Sequence, residues 1–348
     1  MNKEQRISFF LGANSAHGFF SLYDSLADPA EGDYTWYIKG GPGSGKSTFM
    51  RCVAEAAEKR GYHVAYVRCS GDPSSLDGIY IHEQKTAYVD ATSPHIQEPA
   101  FPGAAGRYLD LSDFYKKNIP FEADRIADLF TEYRKQYARA YELLQAAALC
   151  APSGIPGAVT NKTKKEIQNM VLALTEEYPM RQAKDRQKDI FLSAITGIGR
   201  IRCLETIGTV GRILKIKSAF GLEDVFLEAA AKSFREKQYL NVLCHDPLLP
   251  ERLEALIVPE ADICYIRWPR KEKDVVNLDV ALDPLFLRSA EEERKSCAAQ
   301  HNRLLRLAER SLHKAGVLHS ELESVYKPTV DFAAVSAFTQ RHIAECMI

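Results

Sequence analysis

Residues 40–48 read Gly-Gly-Pro-Gly-Ser-Gly-Lys-Ser-Thr and follow the β-rich run Thr35-Trp36-Tyr37-Ile38. The pattern G-x-x-x-x-G-K-[ST] runs from Gly40 through Gly45, Lys46 and Ser47, and a helix-compatible stretch from Phe49 to Lys59 follows it. A strand, a glycine loop and a helix in that order commit this part of the chain to an α/β sheet. Glycines reach backbone angles closed to other residues and bring N–H groups close to phosphate oxygens. The helix N-terminus adds its partial positive charge. Gly40, Gly41, Pro42, Gly43, Ser44, Gly45, Lys46, Ser47 and Thr48 are therefore the candidate phosphate cradle. In it Lys46 is expected to reach the β- and γ-phosphates, Ser47 to ligate Mg²⁺, and the Thr48 hydroxyl to back up the site.

The chain also repeats itself. Phe9-Phe10-Leu11 through Gly18 lines up with Ile190-Phe191-Leu192 through Gly199. Ile38-Lys39 and the glycine loop line up with Leu214-Lys215 and Ile216–Asp224. Val67–Pro73 meets Val242–Pro247, Leu76–Glu83 meets Leu253–Glu260, and Tyr108–Leu111 meets Asn277–Val280. The order is collinear throughout, and repeats of this length are whole domains.

The second copy has lost the motif. Gly221 stands for Gly45, but Leu222 replaces Lys46 and Glu223 replaces Ser47. A carboxylate in a phosphate cradle repels the ligand, and the lysine charge is gone. A second loss runs in parallel. Thr86-Ala87-Tyr88-Val89-Asp90 is an apolar strand ending in an acid, which suits an aspartate holding the Mg²⁺ shell. Its counterpart, Ile263-Cys264-Tyr265-Ile266-Arg267, ends in an arginine. Ser47 and Asp90 are thus the expected metal-side residues.

Strands alternating with helices predict a parallel sheet in each half, covered on both faces. The expected fold is α/β: two P-loop-NTPase-like parallel-sheet domains related by internal duplication, each with a helical extension. Residues 1–160 form the active domain, 161–188 a helical linker, and 189–348 the degenerate domain. Helical spacing of Ile126, Leu129, Phe130, Tyr133, Tyr137, Tyr141 and Leu144 gives the first extension, and Ala290 to Leu322 gives the second. The aromatic stripe reads as core. The Pro- and Gly-rich stretch from Thr92 to Gly106 reads as a long loop.

At 348 residues and 46% apolar content the chain can bury two cores. A formal net charge of −1 supplies no global field for nucleic acid or an anionic membrane. The eight cysteines form no C-x-x-C pair, so neither a zinc site nor a disulfide framework is expected. Scattered thiols, too short an apolar run for a signal peptide, and no membrane-length apolar stretch point to the cytoplasm.

Gly12-Ala13-Asn14…Gly18-Phe19, the glycine loop, Cys69-Ser70-Gly71-Asp72-Pro73-Ser74-Ser75-Leu76-Asp77-Gly78 and Asp90-Ala91-Thr92-Ser93-Pro94-His95 together resemble a family of bacterial tandem-P-loop ATPases of unknown role. The resemblance covers nearly the whole chain. It implies ATP binding and hydrolysis and supplies no substrate. It also implies a P-loop in both halves, from which the second half here departs.

Further catalytic candidates are Asp72 and Asp77, expected in the loop after the second strand, where either could polarise a water or support Mg²⁺; Asp-Pro and Asp-Gly are also ordinary turn pairs. His95 is a candidate γ-phosphate sensor. Arg267 and Arg270 are candidates for a cation offered to the first half's phosphates, with a plain surface role as the alternative. No Glu follows Asp90, so slow or partner-dependent hydrolysis is expected. The reading is an Mg-dependent ATPase with one working site and a regulatory or structural second half that could receive a protein partner. A small-molecule or nucleotide kinase and a nucleotide-gated interaction protein stay open beside it.

Overall fold

A computed structural model describes residues 7–93, 96–117, 122–182, 186–268 and 275–346. The first half runs β1 (Ile7–Phe9), β2 (Gly12–Ser15), β3 (Gly18–Ser21), β4 (Tyr34–Lys39), α1 (Lys46–Lys59), β5 (Val64–Arg68), β6 (Leu76–Ile81), β7 (Thr86–Asp90) and β8 (Gly106–Asp110). Two helices follow, α2 (Ala123–Leu149) and α3 (Asn161–Thr175). The second half runs β9 (Gln187–Phe191), β10 (Ser193–Thr196), β11 (Gly199–Arg202), α4 (Leu204–Ile207), β12 (Arg212–Lys217), α5 (Glu223–Glu236), β13 (Asn241–His245), β14 (Leu253–Val258), β15 (Ile263–Arg267) and β16 (Val275–Asn277). It closes with α6 (Pro284–Tyr326) and α7 (Phe332–Cys346).

Each half contains a six-stranded sheet, ordered β1-β5-β6-β7-β4-β8 in the first and β9-β13-β14-β15-β12-β16 in the second. The two orders are the same, element for element. The sheets are mixed rather than wholly parallel: β6 and β14 run against both neighbours. The expected loop through Asp77 is instead strand β6, and residues 12–21 form the hairpin β2–β3. Short connections explain these antiparallel pairings, because a few residues suffice to reverse a chain but not to cross over a sheet.

The register also corrects the alignment. Ile38 lies opposite Asp90, and Ile216 lies opposite Arg267. Ile216 is therefore the counterpart of Ile38, two positions on from Leu214. Likewise Asp110 caps the turn at Leu111–Phe114 as Asn277 caps that at Leu278–Ala281, so Asn277 rather than Asp279 matches Asp110.

One face of each sheet turns toward the other half. Phe10 and Phe191 exchange two backbone hydrogen bonds of 2.9 Å, so a pseudo-two-fold axis passes between these equivalent residues. Around it Val67, Ala87 and Val89 share one buried cluster with Cys244, Ile257 and Ile266. This is the self-complementary contact of a two-fold dimer, made within one chain.

The other faces are covered by helices that have changed sides. On the first sheet α1 buries Phe49, Met50, Val53, Ala54 and Ala57, a helical stripe. Beside it lies α7, from the far end of the chain, with Phe338 and Ile343 in the same cluster and a 3.0 Å hydrogen bond between His342 Nε2 and the Tyr88 hydroxyl. On the second sheet α3 packs Ile167 and Val171 against Phe226, Ala230 and Phe234 of α5. Residues 161–188 thus contain a helix of the second half's core. The crossing is made by the antiparallel pair α2 and α6, where Ala140, Ala147, Ala308 and Ala315 are buried and small enough for close approach. No described helix is long and apolar enough to cross a membrane, and all eight cysteines are free thiols.

Candidate functional site

The loop of residues 40–48 leaves β4 at the edge where β7 ends. Gly43 and Gly45 hold φ of +69° and +98°, left-handed values that strain any side chain, and Gly45 caps α1. The first hydrogen bond of α1 runs from Phe49 N–H to Gly45 O, so the amides of Lys46, Ser47 and Thr48 precede it. Lys46 Nζ donates to Gly40 O (2.7 Å) and Gly41 O (3.1 Å) and lies 3.6 Å from the Asp90 carboxylate. Ser44 is 1% exposed, yet its hydroxyl has no partner among the described residues. Ser47 Oγ accepts from Leu76 N–H (3.0 Å), which ties α1 to β6. Thr48 is exposed on α1.

The other expected residues separate. Asp90 ends β7, and its Oδ1 accepts from Thr92 N–H (2.9 Å), leaving Oδ2 to Lys46. Asp72 is exposed and caps its own turn through Ser74 N–H (3.0 Å) and Ser74 Oγ (2.7 Å). Asp77 is buried on β6 and accepts a 2.7 Å bond from the Tyr23 hydroxyl. Burial and then Asp77 push the Tyr23 hydroxyl and the Cys69 thiol well above their ordinary pKa, so both stay protonated. Asp77 thus belongs to a buried polar cluster, away from the turn position expected for it. His95 and Arg270 lie outside the described residues.

Residues from α2, α6 and the turn after β8 complete the site, and sequence reasoning did not bring them there. A methyl group at Gly41 would lie 2.6 Å from the Tyr115 hydroxyl and 3.2 Å from the Tyr326 ring; one at Gly43 would lie 3.3 Å from Glu323 O. Tyr115 also accepts from Gly41 N–H (2.9 Å). The end of α6 therefore rests on the loop, with Glu323 bridging His319 (3.8 Å) and Lys327 (3.0 Å). Burial lowers the His319 pKa; Glu323 opposes the shift and the Lys46 charge adds to it. The Tyr133 ring on α2 lies 5.9 Å from His319, and Tyr137 reaches Gly71. Part of the aromatic stripe therefore faces this site. The signal available in sequence was its spacing, which is the same for core and for lining.

At the matching place in the second half the loop is filled by its own chain. Ser218 N–H donates to Glu223 Oε1 (2.6 Å), and Ala219 N–H donates to both oxygens of Asp279 (3.1 and 3.0 Å). Leu222 is fully buried. Four positions separate Lys217 from Gly221, against six between Lys39 and Gly45, so the loop is also shorter. Burial raises the Glu223 pKa against the pull of Arg267. Arg267 touches Asp224 and stands in the wall of this second site rather than beside residues 40–48.

In comparisons with known proteins, no family model, no curated protein and no solved structure matches the chain.

Proposed function

We propose that the chain binds Mg·ATP at residues 40–48 of its first half and hydrolyses it. The observation that carries this reading is the contrast between two equivalent loops. In the first, Lys46 is held by carbonyl oxygens and Asp90, and the buried Ser44 hydroxyl has no partner among the described residues. In the second, carboxylates occupy the loop amides. A polyphosphate suits the first donor set: Lys46 can turn from neutral carbonyls to phosphate oxygens, a stronger charge-assisted bond. The amides opening α1 add donors on the same side.

Ser47 and Asp90 are the residues that would hold Mg²⁺, since a hard cation takes oxygen ligands and keeps several waters. Bound there, the ion would neutralise charge on the transferred phosphoryl group. Asp90, whose Oδ2 faces Lys46, would stand on the metal side of the phosphates, and Tyr115 and Tyr326 lie against the loop at Gly41. Because α6 lies on that loop, nucleotide-dependent movement of α6 is a second reading with its own support.

Titration of the full chain with a fluorescent ATP analogue, paired with a phosphate-release assay, tests the proposal. One site per chain is expected. Lys46→Ala should abolish binding, and Asp90→Asn should weaken Mg²⁺-dependent turnover more than metal-free binding. Two equivalent sites, or turnover unchanged in Asp90→Asn, would refute it.

A further inference from the structure

A cavity of about 920 Å³ opens over the filled loop of the second half. Its walls bring together Arg200, Arg202, Lys217, Arg267, Arg288 and Arg294. The acids there are already engaged. Glu223 and Asp279 accept the loop amides. Asp246 and Glu254 hold Arg200 at 3.1 and 3.3 Å, and Glu254 also holds Arg202 at 2.5 Å. Glu291 holds Arg294 at 2.7 Å.

Donors remain over. Lys217 and Arg288 make no ion pair among the described residues. The buried Arg202 Nε, Arg267 Nε and Trp268 Nε1 have no hydrogen-bond partner there either. Burial lowers the Arg267 pKa to about 10; Glu223 opposes this and Arg200 adds repulsion. A network that served the fold alone would match its donors to acceptors, because an unpaired buried donor is costly. Arg267 also meets Asp224, so what the wall keeps uncommitted is Lys217, Arg288 and the unpaired nitrogens of Arg202, Arg267 and Trp268.

We propose that this cavity binds a small phosphorylated anion without a metal. The guanidinium fork matches phosphate oxygens in pairs, and Lys217 and Arg288, which no described acid of the wall engages, supply the charge that meets a phosphate ester. Glu223 and Asp279 bar the loop itself, so the ligand lies against the arginines. A cation is unwelcome, since Arg267 stands where the first half has Asp90. The proposal is independent of the nucleotide site in the first half.

The test is calorimetry on the full chain in EDTA, with inorganic pyrophosphate as the probe. One site per chain is expected, with unchanged affinity in Lys46→Ala. Arg288→Glu combined with Lys217→Glu should weaken binding by roughly tenfold or more while leaving the melting temperature in place. Should that pair of changes unfold the second half, the exposed Arg288→Ala alone should still weaken binding several-fold. Absence of saturable binding, its loss in Lys46→Ala, or indifference to both Arg288 variants would overturn the proposal. Equal affinity for citrate would overturn the assignment to phosphate.

Discussion

Residues 40–48 and 217–223 hold one position in one topology, and they solve it in opposite ways. In the first loop Lys46 donates to neutral carbonyls with Asp90 at 3.6 Å, no carboxylate takes the loop amides among the described residues, and a buried hydroxyl has no partner there. In the second, a leucine fills the core and two carboxylates take the amides. The first arrangement leaves capacity for a ligand at a cost to itself; the second converts the same scaffold into a finished, self-satisfied turn. A loop can therefore keep its helix, its strand and its left-handed glycine and still change its chemistry completely. What decides is whether the chain supplies its own anions.

The loops differ also in what covers them. The first is roofed by α6 and α7, which arrive from the opposite end of the chain. Ending the chain after Asp331 should thus damage the first half far more than the second. Val335 is buried and Phe338 and Ile343 are partly buried, so their loss costs at most roughly 1.5–3 kcal/mol each, the value for full burial. Against a typical domain stability of ~5–15 kcal/mol that is a large share. Hydrogen exchange should show α1 and β7 exposed while α5 and β14 stay protected. Equal protection in both halves would mean that the exchanged helices do not support the sheets they cover.

The next effect separates chemistry from packing. Lys46→Ala should weaken nucleotide binding by ~100-fold or more, since it removes a charged phosphate donor, and barely alter denaturant unfolding. Leu222→Ala should do the reverse. It deletes a fully buried side chain at a cost of about 2–5 kcal/mol, with nucleotide affinity unchanged. Chemical denaturation and ligand titration on both variants check the pair. If Leu222→Ala lost affinity while still folded, the second loop could not be a finished turn.

Much of this contrast was legible in sequence because it rests on residue identity at fixed spacing. The exchange of Asp90 for Arg267 holds against the strands that carry it, whereas the match of Leu222 to Lys46 does not hold in the helices, because Leu222 caps α5 as Gly45 caps α1. Strand direction was not legible. Nothing in Leu76-Asp77-Gly78-Ile79-Tyr80-Ile81 states that it runs against its neighbours; that follows from how short the chain is on either side. The exchange of α3 and α7 was hidden for a different reason. An amphipathic stripe reports that a face is buried but not by which half, and two halves of like topology offer equivalent faces. Glu323 and Tyr326, with His319 joined to them through Glu323, were invisible for the same reason: the approach of Tyr326 to Gly41 and of Glu323 to Gly43 spans nearly the whole sequence. Asp77 shows the limit of a motif read alone, since its partner Tyr23 comes from the unmotivated turn after β3.

The smallest expected effect concerns protons, and it has opposite signs for folding and for binding. Burial keeps the His319 pKa below its unfolded value of about 6.5. A group depressed in this way binds more protons when unfolded. Its contribution to stability is complete above about pH 6.5 and is lost as pH falls below that value. His82 and His342 are depressed by burial as well, so the melting temperature should fall between pH 7 and 5, and His319→Gln should remove only part of the slope. A triphosphate beside Lys46 would place negative charge close to His319 and raise its pKa. Nucleotide binding should therefore take up a fraction of a proton near pH 6.5, and affinity should rise as pH falls toward 6. Calorimetry in buffers of different ionisation enthalpy measures that uptake. In His319→Gln it should vanish, whereas pyrophosphate binding in the second half should keep its own proton balance in that variant. An uptake that survives His319→Gln would mean that α6 brings no titrating group to the first loop, and the contrast between the two loops would then rest on residues 40–48 alone.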